Sequence, residues 1–384
     1  MVHLLLAIIY LSFISLGLPD ALLGAAWPIM HTELGVPLSC AGVISLIISA
    51  GTVVSSLQSD RMTRCLGPGK VTAISVGMTA VALFGFSVSS EFWQLCLWAI
   101  PYGLGAGSVD ASLNNYVALH YASRHMNWLH CCWGIGASVG PYILGAALSG
   151  GLGWDQGYRI ISLLQILLTA ALLLSLPLWR NPGEKTVAGE NTKALSLKQI
   201  LGIPGAKEVM VAFFCYCALE QTAILWGSTY LVLRDGMNGE TAAGLASLYL
   251  LGLTVGRAVS GFVTVKVNDT NMIRLGQLFM AAGVGIMFLP LGETASMVGL
   301  LTIGVGSAPV YPCIIHSTPD HFGKENSQAL VGVQMASAYM GTCLMPPLFG
   351  LIANHISANL LPVYLAGILV IMVLMCEKLN RKCR

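Results

Sequence analysis

Apolar stretches long enough to cross a bilayer recur from one end of this chain to the other, and no other feature limits its possible folds so sharply. A hydrocarbon core about 30 Å thick needs about 20 predominantly apolar residues in helical form. Twelve such spans can be drawn, at approximately 4–30, 37–59, 71–89, 92–121, 127–150, 158–179, 207–233, 241–265, 271–290, 293–317, 327–353 and 359–376. Only 9% of the 384 residues are charged and 55% are hydrophobic, where a soluble chain carries roughly a quarter charged residues. Lipid offers a backbone no hydrogen-bond partner, so each span closes its own bonds as a helix. The expected fold class is an all-α polytopic membrane protein with 12 transmembrane helices.

Charge then sets the orientation. With both termini in the cytoplasm, all of the 19 Lys and Arg residues except Arg159, Arg234 and Arg257 fall on inner loops or at inner span ends. The opposite orientation reverses that bias, so both termini are expected inside. The first apolar run is too long for a signal-peptide core and lacks a basic leader. The polar segment from Arg180 to Lys207 is the one long interruption. It divides the chain into a six-helix half at 1–180, a cytoplasmic linker at 181–206 and a second six-helix half at 207–384.

The halves repeat one another. Ala41-Gly42-x-x-Ser45-Leu46 with Thr52-Val53 returns as Ala243-Gly244-x-x-Ser247-Leu248 with Thr254-Val255. Gly103-x-Gly105-x-Gly107 returns as Gly304-x-Gly306-x-Ala308. Gly136, Pro141 and Gly145 return as Gly341, Pro346 and Gly350, and Asp20 as Glu220. Six spans followed by six in the same sense make a parallel repeat, the arrangement of two-half transporters with a site near mid-membrane.

Few ionisable groups lie inside the spans. Asp20 sits about 25 Å along span 1, Glu220 about 20 Å along span 7 and Asp110 about 21 Å above Arg124, at 1.5 Å per residue. A carboxylate at that depth costs ~2.5–3.5 kcal/mol even on a lenient scale, so it should face a cavity or a partner. Asp110 and Asn114, four apart on one helix face, are read as cavity-lining. Gly103 and Gly107, also four apart, share a face and invite close approach by a neighbouring helix. Gly17-Leu18-Pro19 should break span 1 next to Asp20. Arg257, on span 8, needs a partner, which Glu220 on span 7 or backbone carbonyls could supply. Trp27, Trp133 and Trp226 lie within spans, where their rings could stack on a ring-shaped solute or fill the core.

Three motifs carry a family likeness. They are Gly103-x-Gly105-x-Gly107-x-x-Asp110-x-x-x-Asn114, Asn127-x-x-His130-x-x-Trp133-Gly134-Ile135-Gly136-Ala137 and Ala218-Leu219-Glu220 followed by Trp226. With Asp60-Arg61-x-x-Arg64 between spans 2 and 3, the chain resembles the major facilitator superfamily, and within it the fucose permease-like sugar symporters. Ser56 and Thr63 replace glycines usual in the loop motif, and Asp110 stands where that subgroup has Glu. The resemblance implies the major facilitator fold and carboxylates in spans 1 and 4 that handle a coupled cation and a sugar. It also adds His130 and Asn127 as binding positions. Asp60, Arg61 and Arg64 are read as a charge latch that holds one conformation.

The expected function is therefore secondary active transport of a small polar solute, with a sugar as the leading class, by proton or sodium symport across the cytoplasmic (inner) membrane. The alternative on the same fold is proton-coupled export of amphipathic compounds or drugs; a non-transporting sensor is a third reading. No Walker A motif, metal-ligand cluster or nucleophile with a base occurs, so no enzyme activity, metal or cofactor is expected beyond the coupling ion. The eleven cysteines, without a C-x-x-C pair, read as packing residues. The expected partners are the solute and the bilayer, with no nucleic acid, for a monomer.

Overall fold

The computed structural model describes residues 2–37, 40–179, 195–237 and 239–383; the expected linker therefore lies, from 181 to 194, outside the described residues. The described residues form α-helices and short 3-10 turns, with no strand among them. In order they are α1 (Val2–Gly17), α2 (Leu22–Glu33), α3 (Ala41–Leu66), α4 (Pro68–Ser87), α5 (Phe92–His120), α6 (Ser123–Ser149) and α7 (Trp154–Ser175). There follow α8 (Leu197–Gly202), α9 (Ala206–Asp235), α10 (Gly239–Val263), α11 (Asp269–Met287), α12 (Glu293–His316), α13 (Thr318–Phe322), α14 (Lys324–His355) and α15 (Leu361–Lys382). A helix, or the broken pair α1 and α2, stands at each of the twelve expected spans. Among the described residues nine of them are long and apolar enough to cross a membrane by length and composition.

The break in span 1 falls where Gly17-Leu18-Pro19 places it. Pro19 has no N–H to continue the ladder, α1 ends at Gly17, and Leu22 N–H starts the next helix on the Pro19 carbonyl at 3.1 Å. Asp20 sits in that turn.

The described chain forms two compact units. One contains residues 1–116 and 132–195; the other contains 117–131 and 196–384. The second thus takes in the end of α5 and the start of α6. Large apolar side chains such as Leu167 and Leu174 in the first unit, and Phe262, Leu278 and Leu374 in the second, are exposed. Such outward apolar faces suit lipid, where helices associate through close packing and not through a hydrophobic drive.

That packing repeats inside each unit. In the first, a Cβ on Gly103 of α5 would meet the Ile48 carbonyl oxygen of α3 at 2.2 Å. In the second, a Cβ on Gly304 of α12 would meet the Tyr249 carbonyl oxygen of α10 at 2.2 Å. Likewise a Cβ on Gly136 would lie 2.0 Å from the Ile14 carbonyl oxygen, and one on its repeat partner Gly341 2.4 Å from that of Phe214. The glycines recur in the sequence because the same two helix crossings recur.

This gives a first expected result. Gly103→Leu and Gly304→Leu each drive a side chain into a neighbouring backbone, and over-packing of this kind costs about 1–3 kcal/mol. Gly367, in α15, has nothing within 4 Å of its added Cβ, so Gly367→Ala should be neutral or stabilising by up to ~1 kcal/mol. Thermal unfolding of the purified variants in detergent checks the contrast; equal melting of all three would show that these crossings do not limit packing.

Candidate functional site

In the first unit the chemistry centres on Asp20. The helix break lifts its side chain out of the regular ladder, and the residue is exposed although it lies deep along the span. Its Oδ2 accepts the indole N–H of Trp133 at 2.7 Å, and its Oδ1 accepts the Tyr102 hydroxyl at 3.3 Å. Trp133 is brought there by an unusually close crossing: a Cβ on Gly17 would lie 2.2 Å from the Trp133 carbonyl oxygen. Asp110 is near enough to act on Asp20 through space.

Asp110 and Asn114 do not line open space as the sequence suggests. They are 5% and 0% exposed, because the glycine face of α5 lets α3 and α4 close over the helix. Asn114 Nδ2 donates to Asp110 Oδ1 at 2.7 Å and to the Asp110 carbonyl at 3.0 Å. Trp27, which could stack on a solute or fill the core, fills the core and does not reach the candidate site. It is 3% exposed in an apolar cluster with Leu22, Met30 and Ile44, its ring edge-on to Phe92 at 6.4 Å. Asp60 is buried and accepts from Arg64 Nε at 2.8 Å, one turn on, while Arg61 is exposed.

In the second unit a denser network surrounds Glu220. Its Oε2 accepts the hydroxyl of Tyr216, one turn back on α9, and lies 3.7 Å from Arg257 Nη2 of α10. The Tyr216 hydroxyl also reaches the Ser307 carbonyl at 3.0 Å, and Ser307 Oγ receives the Tyr249 hydroxyl at 3.0 Å. Arg257 is 3% exposed, and its Nη1 lies 3.5 Å from the His130 carbonyl. One guanidinium therefore reaches both candidate partners, the carboxylate and a backbone oxygen of α6. The His130 ring meets Tyr311 edge-on at 4.5 Å. Asn127 is buried, donating to the Ser123 carbonyl at 3.0 Å. Trp226 donates to the Pro346 carbonyl at 2.9 Å and packs on Phe349, with Gly350 leaving room for the ring.

The tyrosines are what a reading of the sequence misses. Tyr216 carries a usable signal, since it precedes Glu220 by four residues and so shares its helix face. Tyr102, Tyr249 and Tyr311 carry none, because an isolated phenol in an apolar span reads as packing. Chemically, each unit offers a carboxylate with at least one neutral hydroxyl or N–H donor that a solute hydroxyl could replace, Glu220 being held by Arg257 as well, and a carboxylate can take up or release a proton while doing so.

A family model described as Major Facilitator Superfamily matches residues 9–346 and, in a second match, 245–380. Bypass of stop codon protein 6 of Saccharomyces cerevisiae is 21% identical over 385 residues, covering 92% of this chain and 77% of the yeast protein. The crystal structure of the transporter FucP in its outward conformation superimposes with a TM-score of 0.77 at 14% identity, over 96% of this chain and 98% of FucP; FucP is an E. coli fucose:proton symporter. The human organic anion transporter MFSD10 (TETRAN) superimposes with a TM-score of 0.75 at 13% identity, over 97% of this chain and 98% of that one. At such identities these structures share the fold with this chain.

Proposed function

The chain belongs to the Major Facilitator Superfamily, and on that premise we propose that it is a secondary active transporter of a small polar solute of the sugar class, driven by symport of a proton or sodium ion. The observation that carries this reading is Asp20: an exposed carboxylate at a helix break deep in a span, held by an indole N–H and a phenol hydroxyl. A carboxylate accepts sugar hydroxyls, and an aromatic face beside it takes the apolar side of a sugar ring. Glu220 with Tyr216 and Arg257 is the corresponding polar cluster of the second unit. Fucose:proton symport by FucP, which shares the fold, agrees with this cargo and this coupling.

The positive-inside pattern supports a place in the cytoplasmic (inner) membrane with both termini cytoplasmic, as a monomer working in the bilayer. Asp60, Arg61 and Arg64 then act as an inner charge latch. The second reading is proton-coupled export of amphipathic compounds. The ring cluster of Phe213, Tyr216 and Tyr311 beside Glu220 is the feature that favours it.

Reconstitution separates the two. Proteoliposomes loaded to impose a proton or a sodium gradient are expected to accumulate at least one labelled sugar from a panel, with only one gradient effective. No gradient-driven uptake of any polar solute, together with gradient-driven extrusion of an amphipathic cation or dye, would establish the export reading instead.

A further inference from the structure

A second titratable cluster lies apart from Asp20 and Glu220. His316 is the last residue of α12 and Asp269 the first of α11. His316 Nδ1 lies 2.5 Å from Asp269 Oδ2, and Nε2 lies 3.0 Å from the Tyr121 carbonyl oxygen. The other oxygen of Asp269, Oδ1, accepts the Ser123 hydroxyl at 2.5 Å. Their side chains are only 16% and 12% exposed. Tyr121 and Ser123 belong to the 117–131 segment, which packs with the second unit although it joins spans 4 and 5 of the sequence and includes the end of α5 and the start of α6.

Hydrogen counting decides the state of this pair. A carbonyl oxygen only accepts, so Nε2 must carry a hydrogen. If the imidazole were neutral, Nδ1 would then present a lone pair to an ionised carboxylate at hydrogen-bond distance, which is repulsive. The contact needs one more proton. The helix dipoles place it: the C-terminus of α12 favours a cation at His316, and the N-terminus of α11 favours an anion at Asp269. We infer that Asp269 and His316 form a proton-binding site, an imidazolium–carboxylate clasp that holds residues 117–131 against the ends of α11 and α12.

The surroundings suit that role. Asp320 of α13 acts on the imidazole electrostatically in the same sense as Asp269, favouring its charged form. His321, beside Asp320 on the same loop helix, is held below the ordinary histidine range by burial, against the pull of Asp320 and Asp269, and adds no competing charge. Cys313, one turn back on α12, lies 3.9 Å from the Ser123 hydroxyl. On the clasped segment Arg124 turns its Nε toward His125 Nε2 at 3.3 Å. Farther along α11, Arg274 is doubly bonded to Glu377, at 2.6 and 2.8 Å.

The sign of the effect follows. With the proton bound, His316 donates to both acceptors. As the pH rises and the proton leaves, the Nδ1 bond to Asp269 and the ion pair go together; Nε2 still donates to the Tyr121 carbonyl and Asp269 still accepts from Ser123, but His316 and Asp269 no longer attract one another and the hold on the segment loosens. The clasp is thus strongest at low pH on the side it faces, cytoplasmic in the proposed orientation, and it operates whatever the cargo.

Hydrogen–deuterium exchange of the full-length protein in nanodiscs, corrected for the intrinsic pH dependence of exchange, tests the clasp. In the wild type, protection of peptides from 117–131 should fall about tenfold or more as the pH rises, the scale expected for losing a charge-assisted bond. His316→Gln and Asp269→Asn should each remove most of that pH dependence, whereas Arg274→Gln should keep it. Should both clasp variants fail to fold, nitrogen-15 spectra of histidine-labelled wild type decide alone. An imidazolium signal persisting at about pH 7.5, where an ordinary histidine is neutral, supports the site. Exchange with the same pH profile in His316→Gln, or only neutral imidazoles at that pH, overturns it.

Discussion

Glu220→Gln and Arg257→Gln are each expected to destabilise the folded protein by about 3–5 kcal/mol, the usual cost of stranding one partner of a buried ion pair. The double variant should lose less than the sum of the two. Arg257 is 3% exposed and Glu220 15%, so the arginine left alone has no route to water and the carboxylate left alone only a narrow one. Each single change leaves a charge behind; the double change leaves none. The 3.7 Å separation shows that the guanidinium is not committed to the carboxylate, since it also lies 3.5 Å from the His130 carbonyl. Arg257→Gln should therefore also loosen the start of α6, which Glu220→Gln should not. Unfolding of the three variants in detergent gives the coupling energy, and exchange protection of 124–131 gives the α6 effect. Strictly additive losses would mean that Glu220 and Arg257 stand independently, each satisfied by the tyrosines and the backbone around it.

The architecture was legible in the sequence because its causes are local. About 20 apolar residues make a span, and a proline after a glycine breaks one. The recurring glycines Gly103 and Gly304, Gly136 and Gly341, mark crossings at which backbone touches backbone. The pairing of Asp60 with Arg64 follows from their spacing of one turn. What escaped the sequence depends on which way a helix faces and on what packs there. Asp110 and Asn114 look like cavity-lining residues, yet the glycine spacing that makes α5 conspicuous also lets α3 and α4 close over it. For Trp27 the sequence left stacking on a solute and core packing both open, and only the tertiary structure places it in the apolar cluster of the first unit. Tyr102 carries no motif, and only tertiary contact turns its phenol into a partner of Asp20. The packing of 117–131 with the second unit is likewise invisible to periodicity, because it depends on what the turn between α5 and α6 meets, here Asp269 and His316.

Those burial differences separate the two carboxylates of the first unit, and this gives the second large effect. Asp20→Asn keeps the size of the side chain and an oxygen for the Trp133 indole, but removes the titratable charge at the exposed site. Gradient-driven accumulation in proteoliposomes should be abolished, while counterflow exchange of the same solute persists, because exchange needs binding and reorientation but no net movement of the coupling ion. Asp110→Asn acts on a packed group, 5% exposed and bonded to Asn114. If Asp110 holds α5 together, accumulation per folded molecule should survive and melting should fall. If it carries the coupling ion, as the span 4 carboxylate of the fucose permease-like resemblance implies, accumulation should vanish with counterflow intact. The structure favours the first outcome for Asp110, since Asn114 Nδ2 already occupies Oδ1 and the surrounding helices leave almost none of the side chain open. Unchanged accumulation in Asp20→Asn, with loss in Asp110→Asn, would move the ion site from the helix break into α5, and would require α3 and α4 to draw apart during the transport cycle to let the ion in.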